Sequence, residues 1–311
     1  MERATENKIV LITQKTRLEM LIRRYNTKEQ AQFFIEHGGG DFSDYVAEHD
    51  RYTAAVRQVT AILEMQGRVQ RLDRDYLTGY IFGENDLVIA LGRDGLVANT
   101  LKYLDSQQLV GVNPDPSRWD GVLLPFSAGD LKKIVPEVFS GRRDTKTVTI
   151  AEAVLSDGQT LFAVNDLFIG QKTHVSARYI IDIGGRAEEQ SSSGMIISTG
   201  LGSTGWLSSV IAGAAGVDRG CGLNTVPVLP EGFNCSSRYL YYTVREPFAS
   251  RTTGTDFVFG RVEKDTPLTV TSLMPENGVI FSDGVEQDSL EFNSGARVTV
   301  SLADRTGRLV V

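Results

Sequence analysis

The sequence has little of the residue types that build metal centres and disulfide scaffolds. Its 311 residues include two cysteines, Cys221 and Cys235, which lie 14 positions apart. This spacing lacks the paired cysteines of a zinc site and the cysteine density of a small secreted domain. We therefore expect two reduced thiols and assign no metal ligands.

Histidine is also scarce. His37, His49 and His174 lack the spacing of a metalloprotease helix. His37 precedes three glycines, as in a lipase oxyanion loop, but no Gly-x-Ser-x-Gly nucleophile elbow accompanies it. We therefore expect surface or core histidines.

Long hydrophobic runs and an excess of positive charge are missing as well. No run approaches the roughly 18 apolar residues of a membrane span, and Glu2 and Glu6 are unlike a signal or transit peptide. With 32 basic and 39 acidic residues, the net charge of −7 argues against a surface that coats nucleic acid. We expect a cytoplasmic chain without membrane or nucleic-acid partners.

What is present is typical of a folded chain of about two domains, since 41% of the residues are hydrophobic and 23% are charged. Up to residue 142, short apolar runs alternate with longer amphipathic stretches, which predicts an α/β domain with a parallel sheet and crossover helices. The predicted strands are 8–13, 86–91 and 109–112, and the predicted helices are 27–38, 45–63, 96–104 and 130–139.

From residue 143 to 311 the pattern changes to short alternating runs, which predicts a mostly β domain whose final strands can return to the first domain. A turn at 156–158 joins strands 147–150 and 161–164, and one helix is predicted at 205–216. Residues 297–302 and 308–311 are predicted to form a closing hairpin across 305–307. Because no long linker separates the halves, we expect a ligand cleft between them.

Two glycine-rich segments are candidates for binding a ligand. Gly92, Arg93, Asp94 and Gly95 stand between a predicted strand and a predicted helix, where free N–H groups attract phosphate. Asp94 could there orient an attacking hydroxyl, accept its proton or hold magnesium, or it could be an ordinary helix cap.

The second segment, residues 200–205, has the pattern Gly-x-Gly-x-x-Gly between strand 195–198 and the predicted helix. Asp218 has the distance of a dinucleotide-fold acid but lacks the required strand, and a tight turn is the alternative explanation. Asn165 and Asp166 suit ribose hydroxyls, although an Asx turn would also use them.

Together and in this order, the segments resemble those of the NAD kinase family, whose members carry a Gly-Gly-Asp-Gly turn, an Asn-Glu pair and a Gly-rich Ser-Thr segment. The mitochondrial-type members are most similar. Their further marks in this sequence are Lys15-Thr16-Arg17, Gly111-Val112-Asn113 with Asp115-Pro116, Phe168-Ile169-Gly170, Ser192-Ser193-Gly194, Arg245-Glu246-Pro247 and a late Asp283-Gly284.

The resemblance implies an N-terminal α/β domain related to diacylglycerol kinases and phosphofructokinases, and a β-rich C-terminal domain. It implies transfer of the γ-phosphoryl group of ATP, with Mg²⁺, to the 2′-hydroxyl of the adenosine ribose of NAD, giving NADP, in a homodimer or higher homo-oligomer. Asp94 would be the catalytic carboxylate. The nucleotide-binding residues would be Gly92, Arg93, Gly95, Asn165, Asp166, Thr199, Gly202, Ser203, Thr204, Gly205, Trp206 and Ser209.

Three positions depart from the family pattern. Arg93 replaces the second glycine of the turn and adds bulk and a fixed charge, although its guanidinium could reach the phosphates. Asp166 replaces Glu, and Gly200-Leu201 replaces Pro-Thr. A kinase of the same fold acting on another nucleoside, sugar or lipid, and a non-catalytic nucleotide sensor, therefore remain alternatives.

Overall fold

The computed structural model describes residues 7–226 and 232–311, and the chain divides into two compact units. Unit 1 runs to Lys146 and also contains Arg308–Val311, whereas unit 2 comprises Thr147–Gly307. The chain therefore ends in the unit in which it begins.

Unit 1 has a parallel sheet with helices, as predicted. The strand order is β2-β1-β3-β4, and residues 308–309 pair in parallel with β4. The elements are β1 (Lys8–Thr13), α1 (Arg17–Tyr25), α2 (Lys28–His37), α3 (Phe42–Glu64), β2 (Arg68–Asp73), β3 (Leu87–Leu91), α4 (Asp94–Leu101), β4 (Gln108–Val112) and α5 (Leu131–Phe139).

The central strands of unit 1 are apolar along their whole length, because both faces of a parallel sheet are covered. All five residues of β3 are buried. Helix α3 packs Val56, Val59 and Leu63 into the same core as β1 and β3, which matches its predicted apolar face.

Two elements of unit 1 were not predicted. Helix α1 buries only Leu18, although its apolar residues Leu18, Leu21, Ile22 and Tyr25 recur at helical spacing and pack in one cluster. The edge strand β2 buries only Leu72 and shows no clear alternation. The start of α1 is nevertheless fixed by a capping box in which Thr16 and Glu19 bond each other's backbone N–H groups.

Unit 2 is mostly β, which confirms the predicted fold class. One group of strands has the order β16-β13-β8-β9, with β5 paired to β16 and β6 paired to β5, and a six-stranded sheet has the order β12-β11-β10-β7-β14-β15. The elements are β5 (Thr145–Leu155), β6 (Thr160–Ala163), β7 (Asp166–Gln171), β8 (Ala177–Ile183), β9 (Arg186–Ser192), β10 (Met195–Ser198), α6 (Trp206–Gly220), β11 (Tyr239–Val244), β12 (Phe259–Glu263), β13 (Leu268–Ser272), β14 (Gly278–Ser282), β15 (Val285–Glu291) and β16 (Arg297–Val310).

The hairpin predicted at 156–158 is confirmed: β5 pairs with β6 in antiparallel register, and Gly158 has φ +91°. The closing hairpin predicted across residues 305–307 is wrong. These residues continue one extended strand, β16, which pairs with β13 at its beginning and with β4 at its end. Two successive partners keep the strand extended, so the chain does not reverse. Among the described residues, no helix is both long enough and apolar enough to cross a membrane.

Candidate functional site

The turn after β3 brings the Asp94 carboxylate to the start of α4. Arg93 is the N-cap residue, with φ −108° and ψ 168°, an extended conformation open to any residue. Asp94 is therefore not the helix cap. Its Oδ1 atom accepts the backbone N–H of Leu123 at 2.7 Å, so a distant loop orients the carboxylate and leaves its second oxygen for other partners.

The two glycines of this turn have different environments. A Cβ atom at Gly92 would lie 2.7 Å from the end of the Leu96 side chain, which would have to shift to admit it. A Cβ atom at Gly95 would have none of the described atoms within 4 Å. The first intrahelical bond is donated by the N–H of Leu96, to the carbonyl of Arg93. The N–H groups of Asp94 and Gly95 precede it and can serve an anion.

Tyr52 fixes the strand end from which this turn departs. Its hydroxyl donates to the carbonyl of Leu91 at 2.9 Å and accepts the N–H of Gln14, also at 2.9 Å. Burial raises the pKa of Tyr52 to about 12. The hydroxyl therefore stays a donor and ties the ends of β1 and β3 together.

An ionic group, which we call the arginine cluster, lies beside the turn. Arg93 Nη2 contacts Glu48 Oε1 at 2.9 Å, and the Arg93 guanidinium lies 3.9 Å from the ring centroid of Trp119. Asp44 pairs with two further arginines, whose hydrogen bonds lower the pKa of its carboxyl. The members are Arg17, Asp44, Glu48, Arg93 and Arg118.

In unit 2, Asp283 fixes the backbone of Asn165 and Asp166. Its carboxylate accepts the N–H groups of Val164, Asn165 and Asp166 at 2.7 to 3.2 Å. The N–H of Asp283 in turn donates to the carbonyl of Asp166 at 2.9 Å. The turn is therefore held by a residue more than 100 positions away rather than by a local Asx bond.

Asp166 is the most perturbed carboxyl group of this region. Burial, with a smaller contribution from the negative charge of Asp283, raises its pKa from 3.8 to about 7, and a hydrogen bond with Ser198 opposes the shift. Within the described part of the chain, its Oδ1 atom is buried without a hydrogen-bond partner. This oxygen is available to a ligand hydroxyl.

The segment at 199–205 lies against this turn. Strand β10 pairs with β7 so that Ser198 faces Asp166, and the N–H of Thr199 donates to the carbonyl of Asn165 at 2.9 Å. The hydroxyls of the buried Thr199 and Ser203 donate to backbone carbonyls of the chain itself. Unit 2 thus brings together two of the predicted segments, and Thr199 and Ser203 shape the turn.

The first two glycines of Gly-x-Gly-x-x-Gly lie where another backbone segment passes close by. A Cβ atom at Gly200 would lie 2.0 Å from the carbonyl oxygen of Asn234, and one at Gly202 would lie 2.3 Å from that of Asn165. These distances leave no space for any side chain. The glycines are therefore required by the protein backbone itself.

The start of α6 is the exposed part of the segment. Thr204, Gly205 and Ser209 are exposed, while Trp206 is partly buried and stacks on Phe168 with ring centroids 5.6 Å apart. Gly205 is the N-cap residue and provides no side-chain bond. This helix end offers N–H groups and an aromatic edge to a ligand.

The dinucleotide-fold explanation does not apply, because Asp218 lies within α6 rather than at a strand end. Its carboxylate accepts the N–H groups of Thr225 and Val226. Cys221 is exposed, Cys235 is buried, and both are free. In the part of the chain that the structure describes, no group of three or more His, Cys, Asp or Glu side chains could hold a metal ion.

Unit 2 also has a cavity of about 200 Å³ that contains none of the predicted site residues. The residues that line this cavity are Gln171, Thr173, Val175, Ser176, Arg178, Leu273, Met274, Pro275, Glu276 and Asn277.

Sequence analysis missed the residues that hold the predicted ones in place, namely Glu48, Tyr52, Trp119 and the backbone of Leu123. One indication was present. Trp119 and Leu123 closely follow Asn113 and Asp115, which are among the residues that carry the family resemblance.

Comparisons with known proteins give two sequence relatives. A protein named NAD kinase from Burkholderia lata is 27% identical over 174 residues, which are 51% of this chain and 56% of that protein. A protein named "Probable NADH kinase" from Oryza sativa subsp. japonica is 25% identical over 244 residues, 68% of this chain and 69% of that protein. The similarity thus spans little more than half of the bacterial relative. No protein-family model matches the chain.

Solved structures share the fold over nearly the whole chain. An NAD kinase from Archaeoglobus fulgidus, in complex with ATP, superposes with a TM-score of 0.59 at 14% identity, over 98% of this chain and 93% of that one. Yeast NADH kinase complexed with NADH superposes with a TM-score of 0.58 at 16% identity, over 99% of this chain and 84% of that one. The fold implied by the family resemblance is therefore confirmed.

Proposed function

We propose that this chain, whose sequence and fold support the NAD kinase family, is a phosphotransferase that phosphorylates NAD with ATP. The observation that carries the proposal is the Asp94 carboxylate, held by the N–H of Leu123 at a helix start whose own N–H groups are free of intrahelical bonds. A carboxylate and phosphate-binding amides at one turn are what phosphoryl transfer to a hydroxyl needs.

In the proposed reaction, the 2′-hydroxyl oxygen of the adenosine ribose bonds to the γ-phosphorus of ATP. The bond between that phosphorus and the bridging oxygen breaks, and ADP leaves with the electron pair. Asp94 orients the hydroxyl and takes its proton on the oxygen that Leu123 does not occupy. The products are NADP and ADP.

The donor is MgATP, bound as a co-substrate by the turn of Gly92, Arg93 and Gly95. The backbone N–H groups at the start of α4 bind its phosphates, and Mg²⁺ neutralises phosphate charge. The open side of Gly95 supports close approach of a phosphate to the backbone.

The acceptor is held by residues of unit 2. Asn165 and Asp166 bind ribose hydroxyls, and the buried Oδ1 atom of Asp166 supports that role because it lacks a partner among the described residues. The exposed start of α6 provides the remaining contacts, from Thr204, Gly205, Trp206 and Ser209. Thr199, Gly202 and Ser203 set the shape of this segment.

Product analysis tests the proposal. The purified chain is incubated with MgATP and, separately, NAD, NADH, a nucleoside panel and diacylglycerol, and the products are resolved by mass and by the position of the phosphate. We expect 2′-phosphorylated NAD. Phosphorylation of another compound alone would establish the same-fold kinase with a different acceptor, and ATP binding without any product would establish a nucleotide sensor. Sedimentation of the full chain tests the homodimer implied by the resemblance.

A further inference from the structure

Two neighbouring residues of the β3–α4 turn contact one loop. Residues 113–124, which we call the 113–124 loop, follow β4. The Arg93 guanidinium stacks on Trp119 of this loop, and the Asp94 carboxylate accepts the N–H of Leu123 from the same loop. The loop that orients Asp94 is therefore attached to the residue that replaces the family's glycine.

We propose that the side chain of Arg93 is a positioning residue, which holds the 113–124 loop through Trp119 so that Leu123 keeps the Asp94 carboxylate in place. The inference rests on the proposed function, since it concerns the group assigned to the phosphoryl-transfer step. The backbone of Arg93 remains part of the phosphate-binding turn.

The loop has a defined conformation at both ends of the relevant stretch. The Asn113 side chain donates to the backbone carbonyl of Trp119 at 2.8 Å, which fixes the backbone at Trp119 relative to the end of β4. Gly111 accommodates Leu123 so closely that a Cβ atom there would lie 2.0 Å from the Leu123 carbonyl oxygen. Ion pairs of Asp115 and Arg118 hold the loop to helix α3. The Arg93 stack is the contact through which Trp119 joins the loop to the β3–α4 turn.

The guanidinium is oriented for this stack. Glu48 is a largely buried carboxylate on α3, 12% exposed, and binds Arg93 Nη2 at 2.9 Å while the guanidinium carbon lies over the indole, 3.9 Å from the ring centroid. Planar stacking together with a carboxylate bond is a property of arginine that lysine does not share. The extended backbone at Arg93 is compatible with any side chain, so the arginine is accommodated without strain.

The same contacts separate this role from direct phosphate binding. If the Arg93 guanidinium bound a phosphate of ATP directly, it would have to give up its contacts with Glu48 and Trp119. If it positions the loop, it keeps both contacts. If Arg93 acts through Trp119, removal of either partner has the same consequence, and removal of both adds nothing.

A double-mutant cycle measures this coupling, with the variants Arg93→Gly, Trp119→Ala and both together. We expect each single variant to lower kcat by about tenfold, below the roughly 100-fold that a 1 Å misplacement can cause. The KM for ATP should change by less than about twofold, and the double variant should match the single ones. An exposed arginine of α3 provides the control, Arg57→Gln, which removes the same charge and should leave kcat unchanged.

The proposal would be overturned if the loss of kcat in the double variant equalled the product of the two single losses. A KM for ATP raised in Arg93→Gly alone would also overturn it, and would make Arg93 a direct phosphate ligand. Arg93→Lys guards against a folding failure of the glycine variant. We expect it to keep the fold by circular dichroism and to show most of the loss in kcat, because lysine cannot stack as a plane.

Fluorescence tests the stack without any turnover. The chain contains two tryptophans, so Trp206→Phe leaves Trp119 as the only one. In that background, Arg93→Gly should increase acrylamide quenching of Trp119, and Arg57→Gln should not. Unchanged quenching would refute the stack.

If the wild-type chain binds ATP but forms no product, the proposed function and the positioning role both fail. The quenching result would still report whether Arg93 contacts Trp119.

Discussion

The β3–α4 turn of unit 1 and the Asn165–Asp166 turn of unit 2 each present an aspartate, but they hold it in opposite environments. Asp94 has one oxygen bonded to a backbone N–H, and its neighbour Gly95 is open. Asp166 has a buried oxygen without a partner among the described residues and a pKa raised to about 7. The first arrangement leaves one carboxylate oxygen for a substrate, and the second suits a group that completes its hydrogen bonds on a ligand.

The glycines of the two regions also differ in how closely other atoms approach them. Those at 200 and 202 allow two segments of backbone to meet, whereas Gly95 faces no described atom within 4 Å. A glycine-rich segment next to a helix therefore does not by itself indicate a phosphate site, because in unit 2 the first two glycines are explained by the fold alone.

The largest expected effect comes from Asp94→Asn, which keeps the size of the side chain and removes the proton acceptor. We expect kcat for NADP formation to fall by about 100- to 10,000-fold, with ATP and NAD binding retained in calorimetry. Asp166→Asn is the comparison variant, and its main effect should be on the KM for NAD. Equal losses of kcat in the two variants would contradict the distinction between them.

A pair of alanine substitutions compares the glycines directly. Gly202→Ala forces a Cβ atom to within 2.3 Å of the Asn165 carbonyl oxygen, and we expect a loss of about 3 kcal/mol in the free energy of unfolding. Gly95→Ala, in the first turn of α4, should change stability by less than about 1 kcal/mol in either direction and raise the KM for ATP. Denaturant titration and initial rates check both results. A stable Gly202→Ala protein would refute the packing explanation.

Sequence reasoning found the elements that have a strong local pattern. Strands 8–13 and 195–198 have the predicted bounds, and α6 begins one residue after its predicted start, because continuous apolar runs and glycine-bounded turns are properties of neighbouring residues. Helix α1 was missed although its apolar residues recur at helical spacing and Thr16 and Glu19 have capping-box spacing. Its nine residues give only about two and a half turns of pattern. The error at β16 arose because the partners of a strand, β13 and β4 here, are not encoded in its own residues.

The contacts that shape the site could not be predicted from the sequence, because they too join residues that are far apart in the chain. The bond from Leu123 to Asp94 spans 29 positions, and those from Asp283 to Asn165 and Asp166 span more than 100. The sequence does predict that these aspartates stand near the ends of strands. It does not show which oxygen is satisfied, which side chain is buried or which residue supplies the restraint.

The smallest expected effect is the pH dependence of stability that Asp166 contributes. Between pH 3.8 and about 7 the unfolded chain has lost this proton while the folded chain keeps it. This contribution to the free energy of unfolding therefore falls as pH rises through that window and is constant above it. Because the residue is partly exposed, we expect a change on the order of 2 kcal/mol, about half of the full value for such a shift.

Asp166→Asn removes this contribution, so the stability of the variant relative to the wild type should rise between pH 4 and pH 8 in urea titrations. Asp218→Asn is the matched control, because backbone N–H groups lower the pKa of Asp218. The stability of Asp218→Asn relative to the wild type should stay level between pH 4 and pH 8 and rise only as pH falls below 3.8. An acid with a lowered pKa loses its stabilising contribution as pH falls from the unfolded towards the folded pKa. A parallel response of the two variants would show that burial does not distinguish Asp166 from an ordinary surface carboxylate. Bound NAD should lower the pKa of Asp166 if it donates a hydroxyl to the buried oxygen, because a donor favours the ionised form.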